Sequence, residues 1–345
     1  MKSITQKTFR QHFKITLLVV GIIFTIGGVL LSPDFLMYFG FFKGSLTFEN
    51  NLVVTTTLLE ISIIKWTLLF VGLISLIIYF TSNKISSTSF FKELFLQSKL
   101  NLFDQNTYFF NRSFYVIYSL IFASILYLLF GNNLFSDEIL KSINIEDGWI
   151  ENISAIVFLI TALVSFSIVF KIKERKLDKF IYLGFGFLFI FIAGEEISWG
   201  QRLFQFETIA PIKEINVQGE NNIHNMFGYF FDHMFIAGIF IWGFISPILY
   251  RKNLFFKGLF NYCKIPIASL GLASGFLIIS MYHDSILYRM IDELKYLRIA
   301  EMREFLTSLA LLILFLEARA RFKSTTQVEQ PVEIRAELDK LAVNN

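Results

Sequence analysis

The sequence predicts an all-α protein, a polytopic integral membrane helical bundle of about eight transmembrane helices with cytoplasmic N- and C-termini. Three observations lead to this fold class. The 345 residues are 54% hydrophobic and only 17% charged, with a mean hydropathy of +0.58, whereas soluble domains carry closer to a quarter charged residues. Long apolar runs recur along the chain. Lys and Arg concentrate in alternate connections between those runs.

Each apolar run is long enough to cross most or all of the hydrocarbon core, about 30 Å thick, as a helix that satisfies its own backbone hydrogen bonds. The first run follows the basic sequence MKSITQKTFRQHFK, but it is long and no small-residue cleavage site follows it. We therefore expect an uncleaved anchor and not a signal peptide. The predicted spans are 15–32, 61–81, 114–130, 149–170, 180–200, 233–250, 265–281 and 300–318.

The distribution of charge predicts the orientation. With the N-terminus inside, the inner segments hold 22 Lys and Arg against 9 Asp and Glu, whereas the outer segments hold 8 against 19. Cytoplasmic connections are typically rich in Lys and Arg, and the basic connections 171–179 and 251–264 fit that rule. We expect a multi-pass protein of the cell (inner) membrane. Its acidic outer face attracts cations and repels polyanions, so no nucleic-acid partner is expected.

The distribution of polar residues changes near residue 130, and we expect no soluble domain on either side of that point. We expect residues 1–130 to form three spans with an outer loop at 33–60, and residues 131–320 to form five spans that carry a polar cluster. Residues 321–345 are expected to be a mobile cytoplasmic tail. The single cysteine, Cys263, excludes an internal disulfide and a multi-cysteine metal site. No internal repeat is evident, and the oligomeric state is left open.

The polar cluster is predicted at the outer ends of the spans. INIEDGWIEN opens the fourth span with Glu146, Asp147 and Glu151, and GEEISWGQR closes the fifth span at the same leaflet. Acids are favoured at a helix N-terminus and disfavoured at a C-terminus. Capping can therefore explain Glu146 and Asp147 but not Glu195 and Glu196, which we expect to be functional.

Other candidates surround these two glutamates. Glu195, Ser198 and Arg202 fall on one helix face, and Glu196 points about 100° away from it. An ion pair with Arg202 is the structural alternative to a functional site, and helix capping is the alternative for the two acids that begin the eighth span. The further candidates are Gln201, Asn216, Gln218, Glu220, Asn221, His224 and Asn225 in the loop, His283 and Asp284 after span seven, and Glu301 and Glu304 in span eight.

Three stretches of this region resemble a widespread prokaryotic group of uncharacterised multi-pass membrane proteins. The shared motifs are E-D-G-x-x-E at 146–151, G-E-E-I-S-W-G-Q-R at 194–202 and N-x-Q-x-E-x-N-x-H-N at 216–225. The resemblance covers about residues 146–225, and the first 130 residues lie outside it. It implies a common site in the second half of the chain and does not imply a particular reaction.

A membrane-embedded enzyme, either a hydrolase or a transferase, is the first functional interpretation. Carboxylates and histidines could hold a divalent, Zn-like metal with an open position for water, which would attack a lipid-borne substrate. Without a metal, two glutamates could act as acid and base, and Arg202 could hold a substrate anion. The candidate metal ligands are Glu195, Glu196, His224 and His283, with Ser198 or Glu220 in a supporting role.

Two other classes of function stay open. A cation- or proton-coupled transporter could use the outer acids as an entry site, but it should also carry ionisable residues deep in its spans, which spans four to seven lack. A non-catalytic protein that docks a partner or lipid would instead have separately solvated acids that do not converge. The sequence does not decide among these three classes.

Overall fold

The computed structural model of the chain describes residues 5–39, 51–100, 107–144, 148–172, 175–210, 212, 216, 221–223, 230–282 and 296–325. Within these residues, six helices are long and apolar enough to cross a membrane, with a seventh, shorter apolar helix near the C-terminal end. None of the described residues lies in a β-strand. The predicted all-helical, polytopic bundle is therefore confirmed.

Helices begin where a polar side chain caps them. Thr5, Thr88 and Ser269 each accept a hydrogen bond from the backbone N–H three residues later, as N-cap residues do. The helices are α1 Gln6–Leu30, α2 Pro33–Tyr38, α3 Asn51–Ile85, α4 Ser89–Ser98, α5 Thr107–Leu134, α6 Asp137–Asn144, α7 Trp149–Val169, α8 Lys176–Glu196, α9 Gln201–Phe204, α10 Phe230–Phe240, α11 Ser246–Lys252, α12 Leu254–Cys263, α13 Leu270–Ser280 and α14 Ile299–Thr325.

The seventh predicted span is only partly helical. α13 has 11 residues, which at 1.5 Å per residue cover roughly half of the hydrocarbon core. The apolar sequence before it, residues 265–269, is not helical. The eighth predicted span lies within α14, which has 27 residues. The prediction of a full helix over 265–281 was therefore wrong for its first five residues.

The non-helical segment 265–269 keeps its backbone groups satisfied through neighbouring side chains. The Trp242 indole donates to the carbonyl of Pro266 at 2.9 Å, and Arg321 donates to the carbonyl of Ile267 at 2.6 Å. The Glu317 carboxylate accepts from the backbone N–H of Ser269 at 3.0 Å and from its hydroxyl at 2.7 Å. Irregular backbone at membrane depth is tolerated where protein groups complete its hydrogen bonds, as they do here.

α1 and α3 form a closely packed pair. A Cβ on Gly72 would lie 2.6 Å from the backbone nitrogen of Thr25, and a Cβ on Gly21 would lie 2.6 Å from the side chain of Leu76. Small residues let the two backbones approach, which is how helices associate in lipid. At one end of the pair, Phe9 and Phe13 pack against α4 and α12.

The larger core joins α5, α7, α8, α13 and α14. α7 packs against both α8 and α14, and α5 packs against α13. The rings of Phe158, Phe189 and Phe315 meet in the centre of this core and are almost fully buried. α5, which the sequence analysis grouped with the first portion, thus packs with the second. This core holds the ends of α7, α8 and α14 together, and we call that end of the bundle, with Glu151, Glu196 and Glu301, the acidic end.

α4 and α12 pack against each other at the opposite end and share a short sequence pattern. Residues 90–95 read FFKELF and residues 255–260 read FFKGLF, a similarity that the sequence analysis missed. Gly258 meets the Leu94 carbonyl so closely that a Cβ would clash with it. The Asn261 side chain donates to the carbonyls of Gln97 and Leu100 at 2.8 and 3.0 Å. These contacts fix the two short helices across the end of the bundle.

Candidate functional site

The fifth span ends in a left-handed turn. α8 ends at Glu196, and Ser198, Trp199 and Gly200 then adopt φ angles of 45°, 55° and 76°. Positive φ costs a non-glycine residue on the order of 1–3 kcal/mol, and such conformations persist where the surrounding structure fixes them. Gly200 suits this geometry, whereas Ser198 and Trp199 need contacts that hold them in it.

Glu195 supplies one set of those contacts. Its carboxylate accepts a hydrogen bond from the Trp199 indole at 2.7 Å and another from the backbone N–H of Ile223 at 2.5 Å. The side chain is 6% exposed. Both carboxylate oxygens therefore bind the turn and the loop after it. This pairing explains how an acid is stabilised at a helix C-terminus, where the dipole disfavours it.

Ser198 lies at the centre of a buried amide network. Its hydroxyl accepts from the side-chain N–H of Asn222 at 3.0 Å, and the Asn216 side chain donates to both oxygens of Asn222 at 2.9 Å. Ser198 is 1% exposed. A nucleophile must reach its substrate, so this buried hydroxyl fits a structural role better than the catalytic role that the sequence suggested.

A second amide network fixes the outer part of the same loop. The Gln201 side chain donates to the Thr208 hydroxyl at 2.7 Å and accepts from the backbone N–H of Asn221 at 2.7 Å. The Asn221 side chain accepts in turn from the backbone N–H of Ile209 at 3.1 Å. Gln201 and Asn221 are thus brought together, and these bonds hold residues 208, 209 and 221 beside the start of α9.

Glu196 has a different environment from Glu195. It is 9% exposed, and it makes no hydrogen bond within the described part of the chain. The charges that act on it are those of Glu301, on α14, and of Glu195. Neighbouring carboxylates in a buried site repel one another and are costly unless a proton or a cation is bound among them. No contact of the described residues therefore explains how the buried carboxyl of Glu196 is stabilised.

The two acids at the start of α14 have different partners. Glu301 lies near Glu196 and also pairs with Arg298, whose Nη1 is 3.3 Å from Oε1 of Glu301. Glu304 instead faces Arg303, with Nη2 of Arg303 at 3.9 Å from its Oε1. Of the two, Glu301 therefore belongs with Glu196, and Glu304 belongs with a different group of residues.

Glu151 lies in the first turn of α7, where it is 8% exposed. α7 packs against α8 and α14, so this acid lies at the same end of the bundle as Glu196. The described residues contain no group of three or more His, Cys, Asp or Glu side chains that could hold a metal. The remaining candidates fall outside the described residues, as does the side chain of Arg202: Glu146, Asp147, Gln218, Glu220, His224, Asn225, His283 and Asp284.

Arg303 was missed by the sequence analysis. It is 5% exposed, and its guanidinium donates to the carbonyl of Tyr282 at 3.3 Å. It lines a small cleft of about 10 Å³ with Ser280, Thr307 and three apolar residues of α10. Its position in the second turn of a mostly apolar helix was visible in the sequence, but nothing there showed that it points inward.

Glu60 and His233 were also missed as a pair. Nδ1 of His233 lies 2.6 Å from Oε1 of Glu60, which joins α10 to α3 across the two parts of the chain. Glu60 is 4% exposed. The two residues are 173 positions apart in sequence, and no motif links them.

Comparisons with family models of proteins, with curated proteins and with solved structures each gave no match. The resemblance of residues 146–225 to a group of multi-pass membrane proteins therefore stays a prediction.

Proposed function

We propose that this chain is a membrane-embedded enzyme, a hydrolase or a transferase, with Glu196 and Glu301 as its acid–base pair. In this proposal the acidic end of the bundle faces outside the cell (inner) membrane, as the concentration of Lys and Arg at the opposite end favours. The substrate is carried by a lipid, because the site lies at the ends of membrane spans.

The burial of Glu196 beside two other glutamates carries this proposal. A buried carboxyl without a hydrogen bond destabilises a folded protein, and Glu196 makes none within the described residues. Selection for stability alone would replace it with glutamine or an apolar residue. Perturbed, costly ionisable groups cluster at functional sites, where they exchange protons or bind charge.

The chemistry that fits is proton transfer. Two neighbouring carboxyl groups can share one proton, which provides one acid and one base at the same site. Glu196 and Glu301 would then protonate a leaving group and activate a water or hydroxyl nucleophile. Glu195, Ser198 and Gln201 would act as positioning residues, since they bind the turn and the loop that close over the end of α8.

A divalent, Zn-like metal is a further form of the same proposal. It would require His224 or His283, which lie outside the described residues, together with Glu196. Glu195 is a weaker candidate ligand, because both of its oxygens already accept hydrogen bonds.

The experiment is a lipid-conversion assay in proteoliposomes that contain a lipid extract of bacterial inner membranes. We expect mass spectrometry to find a lipid that the wild-type protein consumes. Glu196→Gln and Glu301→Gln should each slow this conversion by about 10²- to 10⁴-fold, the usual contribution of a general acid or base. Glu138→Gln removes an exposed acid of α6 and is the matched control, which should keep full activity. Conversion that survives Glu196→Gln, or a lipid profile that the wild type leaves unchanged, would contradict the proposal.

Transport is the second candidate, and the broken seventh span favours it. Discontinuous helices beside buried ionisable groups form the ion and substrate sites of many transporters. Here Glu317 and Arg321 bind the non-helical residues before α13. Against transport, these groups bind one another and the backbone, and aromatic rings such as Phe158 and Phe315 fill the bundle between the two ends. A proton flux in the same proteoliposomes that Glu317→Gln abolishes would favour transport. Docking has less support, because Glu196 is buried under the influence of Glu195 and Glu301 and is not separately solvated.

A further inference from the structure

A groove of about 310 Å³ lies at the basic end of the first two spans. It is formed between the start of α1 and the end of α3, on the side of the membrane opposite Glu196 if each span crosses. All of its lining side chains are polar, three are cationic and none is acidic. They are Gln6, Lys7, Arg10, Gln11, Lys14 and Asn83. Its volume is within the range of small-molecule sites.

The three cations share one face of α1, because their spacings are three and four residues. Like charges at these spacings destabilise a helix, and no acidic residue lies in its first turn. Two of the cations are held across the groove by α3 and the turn after it. Lys14 donates to the Asn83 side chain at 2.9 Å, and Arg10 donates to the carbonyl of Ser86 at 3.3 Å. Neither bond neutralises a charge, so the groove is positive.

The apolar surface begins where the groove ends. Ile15, the next residue after Lys14, is 61% exposed, and Phe80, one turn before Asn83, is 79% exposed. Both side chains are of the kind that faces lipid. A ligand with an anionic head and apolar tails could therefore place its head in the groove and its tails along these residues.

We propose that this groove binds the phosphate headgroup of a membrane lipid in the leaflet at the basic end. Basic pockets between spans on the cytoplasmic side bind headgroups of this kind. Three cations without an acid favour a phosphate that carries two negative charges over a headgroup that carries one. This site is independent of the proposed enzyme activity, and its test does not need that activity.

Binding is measured by native mass spectrometry of the full chain in detergent with one lipid at a time. We expect phosphatidic acid, a dianionic phosphate monoester, to bind more tightly than phosphatidylglycerol, and phosphatidylcholine to bind least. Changing Lys7, Arg10 and Lys14 together to Gln should weaken phosphatidic acid binding by about 100-fold, since each cation contributes roughly a factor of five.

The matched control changes Lys92, Lys176 and Lys179 to Gln, which removes the same charge from the same side of the membrane but outside the groove. It should alter binding by less than about two-fold. Asn83→Asp is a second variant, which keeps every cation and adds a carboxylate to the groove, and it should also weaken binding. Equal losses in the two triple variants would overturn the proposal. Displacement of the lipid by an equal concentration of inorganic pyrophosphate would also overturn it, in favour of a soluble phosphate ligand.

Discussion

Replacement of Glu317 by leucine tests how the break in the seventh span is stabilised. Glu317 is 1% exposed, and its carboxylate binds the backbone and hydroxyl of Ser269 as well as Nη2 of Arg321, at 3.1 Å. Glu317→Leu would leave the guanidinium of Arg321 without its buried counter-charge. It would also leave the amide of Ser269 without an acceptor.

The magnitude follows from these two losses. Removing one partner of a buried ion pair costs about 3–5 kcal/mol, and an unsatisfied buried donor costs about 1–3 kcal/mol. Because one carboxylate makes both interactions, the losses overlap, and we expect about 5 kcal/mol for Glu317→Leu. Glu317→Gln keeps one acceptor oxygen and should cost about half as much. The double change Glu317→Leu with Arg321→Leu removes the stranded charge and should recover most of the loss.

The assay is the free energy of unfolding in mixed micelles titrated with dodecyl sulfate, followed by circular dichroism. A loss below about 1 kcal/mol for Glu317→Leu would refute the reasoning, since it is smaller than the cost of one unsatisfied donor. A double variant that is less stable than Glu317→Leu would also refute it, because the stranded charge could not then be the main cost.

Two further predictions concern Cys263 and the pair Glu60 and His233. Burial raises the pKa of the Cys263 thiol, while Arg175 opposes the shift. Because the thiolate is the reactive form, maleimide labelling should be slower at neutral pH than in the denatured protein, and should accelerate as the pH rises through the raised pKa. Equal labelling rates in the folded and the denatured protein would contradict the raised pKa. Labelling of Cys263 by an impermeant reagent in intact cells would contradict the predicted orientation, in which this residue faces the cytoplasm. For Glu60 and His233, a double-mutant cycle with Glu60→Gln and His233→Ala should give a coupling energy of about 1 kcal/mol. If the losses of stability from the two single changes simply add in the double variant, the contact between Glu60 and His233 does not stabilise the fold.

The sequence predicted the positions of the helices well, because hydropathy over about 20 residues is a property of composition. It failed at residues 265–269, which are as apolar as a helix would be. The break depends on Glu317 and Arg321, about 50 residues further along the chain. Hydropathy scores each window alone and cannot include such a partner.

The sequence also singled out the end of α8, but it did not distinguish the two glutamates there. It treated Glu195 and Glu196 alike, because both follow an apolar helix and neither fits the helix dipole. The two glutamates differ because their side chains have different neighbours. Glu195 meets the Trp199 indole and the loop amide of Ile223, whereas Glu196 lies near Glu301. The left-handed turn that brings Trp199 back to Glu195 has no sequence signature beyond Gly200.

The most direct test of the central claim compares Glu195→Gln with Glu196→Gln in the same unfolding assay. We expect Glu195→Gln to lose about 2–3 kcal/mol, because a hydrogen bond to a charged group contributes about 1.5–3 kcal/mol. We expect Glu196→Gln to gain about 1 kcal/mol, because it removes an acid held among like charges at a cost to stability. Opposite signs at these adjacent positions would support a functional carboxylate at Glu196. A loss of stability at both would make Glu196 a structural residue and contradict the account.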